Sequence, residues 1–506
     1  MKGPIYQVAA SPFNRPDADV ILRSSNGSHF HFHVHRNILM MASPFFEDMF
    51  HLPVPHNENQ TDRPIIDVPE DSATLDILLR VCYPVAVPLI TTVKQARSVL
   101  DAALKYDMIT VKQFATRMLE TFVQAEPLRV YAIAARHGLD RLAKVAARQA
   151  VQKNAVTDSY VPELEDMPAG CYYRLLQYQR RVNNSTVFVF CRPKHNIATK
   201  GPSRETELTE RNAPSPFDAV DADVVMVTTD NMRFCVHKSI ITSASPVWTT
   251  LLQEQVSESG PASYNEETCG PRILQISERS NILQPLLQLI YPSGLPISVD
   301  NAALPSLLDA ANKYQLQRVS WILLPKWSEF VASDPLSSYL LACSRGLKEQ
   351  VIHSARSLLS RTYNDLVNTY VGALEAVPTG PYYRLLQFHK RCGQAARSFF
   401  DSQTRKDLEA SSSFTLVTCD KSPCNGNSYR YASPKWYSSY VVRAKRCLEV
   451  QPSVSTFRLE TITFLVKEMG CLSCMMRIKE VLAFCSAFED AVDKVISEVS
   501  TDILFN

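Results

Sequence analysis

Asp19-Val20-Ile21-Leu22, then Phe32-x-Val34-His35-Arg36-x-x-Leu39, then Ser43-Pro44-Phe45-Phe46-x-x-Met49-Phe50 are the stretches that decide the fold. Asp19–Ser24 and Phe30–Arg36 read as two short strands around Asn26-Gly27, a dipeptide that favours a tight hairpin turn. Asn37–Phe50 follows as a helix, interrupted near its middle where Ser43-Pro44 brings a residue without a backbone donor. Working outward, Ile65–Val68 suggests another strand. Leu75, Leu78, Leu79 and Cys82 then fall on one face of a helix, which Tyr83-Pro84 stops. Helical periodicity continues through Val93–Leu119 and Pro127–Val151, and Pro168-x-Gly170-x-Tyr172 turns into a further helix ending near Arg181.

The whole pattern then returns. Ser11-Pro12-Phe13 and Asp17-Ala18-Asp19-Val20 reappear as Ser215-Pro216-Phe217 and Asp221-Ala222-Asp223-Val224. Val34-His35-Arg36 reappears as Val236-His237-Lys238, and Ala42-Ser43-Pro44 as Ala244-Ser245-Pro246. Leu100-Asp101-Ala102-Ala103 and Lys105-Tyr106 match Leu308-Asp309-Ala310-Ala311 and Lys313-Tyr314. Tyr172-Tyr173-Arg174-Leu175-Leu176-Gln177 matches Tyr382-Tyr383-Arg384-Leu385-Leu386-Gln387. The unit is far longer than a solenoid repeat, so this is a duplicated domain pair. Between the copies, Ile197–Pro214 is polar and poor in large apolar residues, as a linker is. After Cys392 comes a region with no counterpart in the first copy.

Composition narrows the function classes. At 506 residues the chain holds three or four cores. Apolar residues make up 45% and charged residues 21%, as in ordinary globular proteins. Glycine is scarce, at 14 residues, and no G-x-G-x-x-G or P-loop occurs. No G-x-S-x-G or H-E-x-x-H is present either, and the expectation is that the chain is not an enzyme. With 53 Lys+Arg against 51 Asp+Glu, the net charge is +2. The basic clusters at Arg192–Lys194 and Arg443–Lys445–Arg446 are too short for a phosphate-binding face, so nucleic acid is not an expected partner. No apolar run reaches the ~18 residues of a membrane helix. Met1–Ala10 lacks a signal pattern, and the 13 cysteines are an odd number, read as reduced thiols. No membrane partner and a cytoplasmic or nuclear location are expected.

The hairpin and first helix of each copy resemble the BTB/POZ domain. In the second copy the match runs through Asp223-Val224, Phe234-x-Val236-His237-Lys238 and Ser245-Pro246-Val247-Trp248, departing where Trp248 and Leu251-Leu252 replace Phe46 and Met49-Phe50. Tandem proteins of this kind resemble a family expanded in fungi. The implied fold is α+β and mostly helical. It comprises domain 1 (11–125), helical extension 1 (126–192), a linker (193–214), domain 2 (215–330), helical extension 2 (331–392) and a C-terminal cysteine-containing helical region (393–506). The resemblance implies a protein–protein interaction scaffold or adaptor that self-associates within or between chains. Cullin-type ubiquitin ligases are among the partners it suggests. A transcriptional regulator with a zinc-stabilised C-terminal region is the alternative.

BTB/POZ domains pair through their first hairpin and first helix, which makes Asp19, His35, Phe45 and Phe46, with Asp223, His237, Val247 and Trp248, the candidate interface residues. Asp19 has a second reading, as a carboxylate that caps or pairs within its own domain. His29, His31, His33 and His35 share one strand face by the period of two, a pattern that could hold a metal. The second copy carries Arg233, Cys235 and His237 at the last three positions, which favours a polar strand face. Tyr172, Tyr173, Arg174, Leu175 and Leu176 could line a peptide pocket, but aromatics and leucines at helical spacing are expected in the core.

In the C-terminal region Cys419-x4-Cys424 lies on a turn and Cys471-x2-Cys474 precedes a long amphipathic helix. Four cysteines so arranged match a structural zinc site, with reduced thiols as the other reading. No cofactor is required. The helix is expected to pack through Leu472, Met475, Leu482, Cys485, Val492, Val495 and Val499. Ser433 and Pro434 look like the start of another helix, closed by Pro452.

Overall fold

The computed structural model describes residues 6–25, 30–52, 63–181, 189–191, 211–258, 272–291, 299–402, 435–469 and 472–505. The chain divides into two compact units, residues 1–193 and 194–506.

The first unit opens with β1 (Gln7–Val8), β2 (Val20–Arg23) and β3 (Phe30–Val34), then α1 (Arg36–Ala42), α2 (Pro44–His51) and β4 (Ile65–Asp67). The sheet order is β1-β3-β2-β4; only β2 and β3 are antiparallel, with Val20 opposite Val34. Val20 and Leu22 face the core while Ile21 and Arg23 do not, the alternation of a half-buried strand. The break between α1 and α2 follows from Ser43, whose hydroxyl accepts the Phe46 N–H while Pro44 occupies the first helical position. Six further helices follow: α3 (Ser72–Cys82), α4 (Val93–Lys105), α5 (Ile109–Thr121), α6 (Pro127–Arg136), α7 (Asp140–Gln152) and the short α8 (Ala155–Asp158); α9 (Ala169–Arg180) ends the unit. Leu75, Leu78 and Leu79 are buried as their spacing predicts, and Cys82 is half-buried at the end of the stripe. The single periodic run Val93–Leu119 is broken into α4 and α5 at Asp107, which takes a positive φ of 49°. Gly138, at φ 68°, turns α6 into α7 in the conformation that glycine adopts without strain.

The second unit repeats this plan: β5 (Arg211–Asn212), β6 (Val224–Val227), β7 (Met232–Val236), α10 (Lys238–Ala244), α11 (Pro246–Glu258) and β8 (Arg272–Gln275), with sheet order β5-β7-β6-β8. Val224 sits opposite Val236, as Val20 does opposite Val34. The helices α12 (Ser280–Ile290), α13 (Leu304–Lys313), α14 (Gln317–Ser333), α15 (Pro335–Ser344), α16 (Lys348–Leu358), α17 (Tyr363–Asn368) and α18 (Thr379–Phe399) complete the copy. Gln315 (φ 53°) and Gly346 (φ 65°) stand where Asp107 and Gly138 do.

Three boundaries differ from the sequence reading. The edge strands Gln7–Val8 and Arg211–Asn212 lie before residue 11 and inside the stretch 193–214 read as linker. Two-residue parallel strands are too short to show an alternating pattern. The division at Cys392 also falls inside α18, where Cys392, Ala396 and Phe399 continue one buried stripe. Of the C-terminal helices α19 (Lys435–Val450), α20 (Val454–Glu468), α21 (Leu472–Met476) and α22 (Ile478–Ser497), α19 and α22 pack back onto α18 within the same unit, α20 packs on both of these, and α21 on α22. Phe399 and Phe400 meet Phe488 with ring centroids 5.3 and 5.6 Å apart. The buried Glu489 accepts from Arg458 Nε at 2.7 Å and from the Tyr440 hydroxyl at 3.4 Å. Cys485 and Val492 are buried as expected, but Leu472 and Met475 are exposed, and the core instead uses Val481, Phe484, Phe488 and Ile496. The helical phase resets at Arg477, between α21 and α22, so residues before it leave the buried face. Among the described residues, no helix is long and apolar enough to cross a membrane.

Candidate interaction site

The hairpin, first helix and third helix of each copy are joined by one polar network. Asp19 Oδ1 accepts the Arg36 N–H at 2.7 Å, and Asp223 Oδ1 accepts that of Lys238 at 2.6 Å. Each carboxylate thus satisfies a donor in the first turn of its own domain's first helix, the intradomain alternative of the sequence reading. His35 is where β3 gives way to α1. Its backbone N–H donates to the Tyr83 hydroxyl at 2.8 Å, and its Nδ1 lies 3.2 Å from the same oxygen. A hydroxyl that accepts the amide is free to donate to Nδ1, which places the ring proton on Nε2, 3.6 Å from Asp17. The second copy repeats each distance within 0.1 Å: His237 to Tyr291 at 2.8 and 3.3 Å, and to Asp221 at 3.6 Å. Burial raises the pKa of both tyrosines, so the hydroxyls stay protonated.

Below this, Ser43 Oγ donates to the Tyr106 carbonyl at 2.5 Å and Ser245 Oγ to that of Tyr314 at 2.6 Å, tying the second helix to α4 and α13. The two tyrosine side chains donate to Glu70 and Glu278, which also pair with Lys105 and Lys313. Burial would lift the Glu278 carboxyl, but hydrogen bonds from Lys313 and Tyr314 bring it below its ordinary value.

The aromatic candidates divide. Phe46 and Trp248 are fully buried and pack on Tyr106 and Tyr314 at 5.1 and 5.0 Å, so they serve the core and do not present a side chain to a partner. Phe45 stays 43% exposed and Val247 is half-buried. The described residues of the histidine stripe are not gathered into a metal-binding group. His31 is buried and stacks on Tyr6 at 4.2 Å, His33 is half-buried near Arg15 and Arg63, and His35 has left the strand. His29 lies outside the described residues, and among those described no group of three or more His, Cys, Asp or Glu could hold a metal. Cys419, Cys424 and Cys471, with Ser433 and Pro434, also lie outside them, and the side chain of Cys474 is not described. Tyr172 and Tyr382 are core residues, donating to the carbonyls of Val156 and Leu366 at 2.8 and 3.1 Å.

Sequence reading missed the roles of Tyr83, Tyr291, Asp17 and Asp221. Their signal is present, since each pair recurs in the duplicated copies, but a tyrosine before proline reads from sequence only as a helix stop.

Each unit carries an open concavity on this scaffold. In the first unit a groove of about 730 Å3 runs between α5 and the α6–α7 corner, with Met108, Leu139 and Leu142 beneath a rim that includes the exposed Ile109, Lys112 and Arg141. In the second unit a pocket of about 600 Å3 lies between α10 and the α13–α14 turn.

The sequence model of the BTB/POZ domain matches residues 13–122 and 218–325. Comparison with curated proteins finds no match.

Proposed function

We propose, from the two BTB/POZ domains this one chain carries, that it is an interaction scaffold which self-associates through the exposed sides of its first helices and presents a partner to a cullin-type ubiquitin ligase. BTB/POZ domains are protein-interaction modules, and the duplication of the whole module, extension included, is the observation that carries this reading. The polar network supports it: hairpin, first helix and third helix are locked together, which presents the first-helix surface as a rigid element. Met41 at 90% and Phe45 at 43% exposure stand on that surface. The groove at α5 and α7, apolar beneath and charged at the rim, suits a helix or peptide of a protein partner.

Incubating the full-length chain with purified amino-terminal domains of cullins, followed by size-exclusion chromatography, tests the ligase step. Co-elution with one cullin is expected. Failure of all of them to bind would leave a self-associating scaffold outside the ligase pathway. Structural zinc on Cys419, Cys424, Cys471 and Cys474 is a separate proposal, resting on their spacing. Elemental analysis should find one zinc per chain, and a folded, metal-free chain ends it.

A further inference from the structure

The groove at α5 and α7 is bordered by cations that the second copy lacks. Lys112 and Arg117 on α5 and Arg141 on α7 line it. Lys144 and Arg148 stand three and seven residues beyond Arg141, on the same face of α7, and both are exposed. Among the described residues none of these five cations makes an ion pair. Gly138 and Gly346 align the copies here, so the same five positions hold Ser320, Pro325, Glu349, Ile352 and Arg356 in copy two. The last is the one cation retained, and it is engaged: its Nη2 donates to the Ser497 carbonyl at the end of α22, 3.2 Å away.

The charge of the copy-one site is uneven. Around α5, Asp107 and Glu120 offset Lys112 and Arg117. Along α7, Arg141, Lys144 and Arg148 face outward over about 10 Å. Asp140 is the acid beside them, and its Oδ1 already accepts the Cys191 N–H at 3.3 Å. Apolar side chains stand on both helices, Ile109 at 64% and Val145 at 49% exposure. A nucleic acid fits poorly, because its evenly spaced phosphates would meet the carboxylates around α5. A helix with an apolar stripe and carboxylates along one flank fits both features: the stripe covers Ile109 and Val145, and the acidic flank lies on α7.

We propose that copy one alone docks an amphipathic partner helix with an acidic flank, its carboxylates set against Arg141, Lys144 and Arg148. This rests on the scaffold reading above and names the partner chemistry of its groove. The two copies are then not interchangeable, since copy two has neither the cationic stripe nor a free arginine at its last position.

Fluorescence anisotropy with the full-length chain tests it. The probes are two labelled amphipathic helical peptides with leucine on one face, one carrying glutamate along one flank and its twin carrying lysine. The glutamate peptide should bind at least about tenfold more tightly than the lysine twin. Lys144→Glu combined with Arg148→Glu should weaken the glutamate peptide about tenfold and strengthen the lysine peptide, a gain that a misfolded variant cannot give. Lys348→Glu, which reverses an exposed cation of α16 in copy two, should change neither. Equal affinity for the two peptides, absence of binding by the glutamate peptide, or no response to the charge reversal on α7 overturns the proposal. A single-stranded oligonucleotide that binds as tightly as the glutamate peptide marks a general polyanion surface and also overturns it. Sedimentation reads self-association separately, so failure here is distinguishable from failure of the scaffold reading.

Discussion

Tyr83 and Tyr291 each accept a backbone N–H at the strand-to-helix corner, and phenylalanine there would leave that half-buried donor without its partner. Tyr83→Phe and Tyr291→Phe should each cost about 1–2 kcal/mol. The urea midpoint should fall with the slope unchanged. Asp230 gives the second copy a pH signature. Burial alone would raise its carboxyl, but the Ser280 hydroxyl and N–H and the Thr228 hydroxyl donate to it and hold it at about 2. Because the folded value lies below the unfolded one, the carboxylate stabilises the fold above pH 3.8, and that contribution is lost as pH falls from there toward about 2. Asp230→Asn should flatten the acid-unfolding curve of the second unit over that range; an unchanged curve would contradict the role. At this scale the sequence was legible where a residue's type fixes its task. Ser43-Pro44 announced the interruption of the Asn37–Phe50 helix. Phe45 and Phe46 were not separable, because neighbours on a helix point a little over a quarter turn apart and only the packing decides which one enters the core.

The joint between α18 and α19 depends on Gly393. A β-carbon there would overlap the Glu449 backbone carbonyl, and backbone cannot swing aside. Gly393→Ala should therefore destabilise the C-terminal helices by about 1–3 kcal/mol, seen as faster proteolysis after residue 400 and a lower Tm. The Leu75–Leu79 stripe was readable because it is a single amphipathic period, with Asp71 capping the helix in front of it. The C-terminal helices were less so. Their buried stripe starts afresh at Arg477, and a period projected across that break assigns Leu472 and Met475 to the wrong face. The edge strands were invisible for a different reason: a parallel pairing two residues long is decided by what β3 and β7 leave open, not by the paired residues themselves.

For the molecule as a whole, duplication was the most legible property, since matched blocks fix both the repeat and the place of every insertion. How copies use their exposed faces was not legible, because it depends on exposure and on pockets that no period encodes. Sedimentation equilibrium of the unaltered chain over a wide concentration range is the most direct test of a scaffold that self-associates between chains. A mass rising to twice the chain's 56.9 kDa is expected. A mass that stays at 56.9 kDa at every concentration would contradict it.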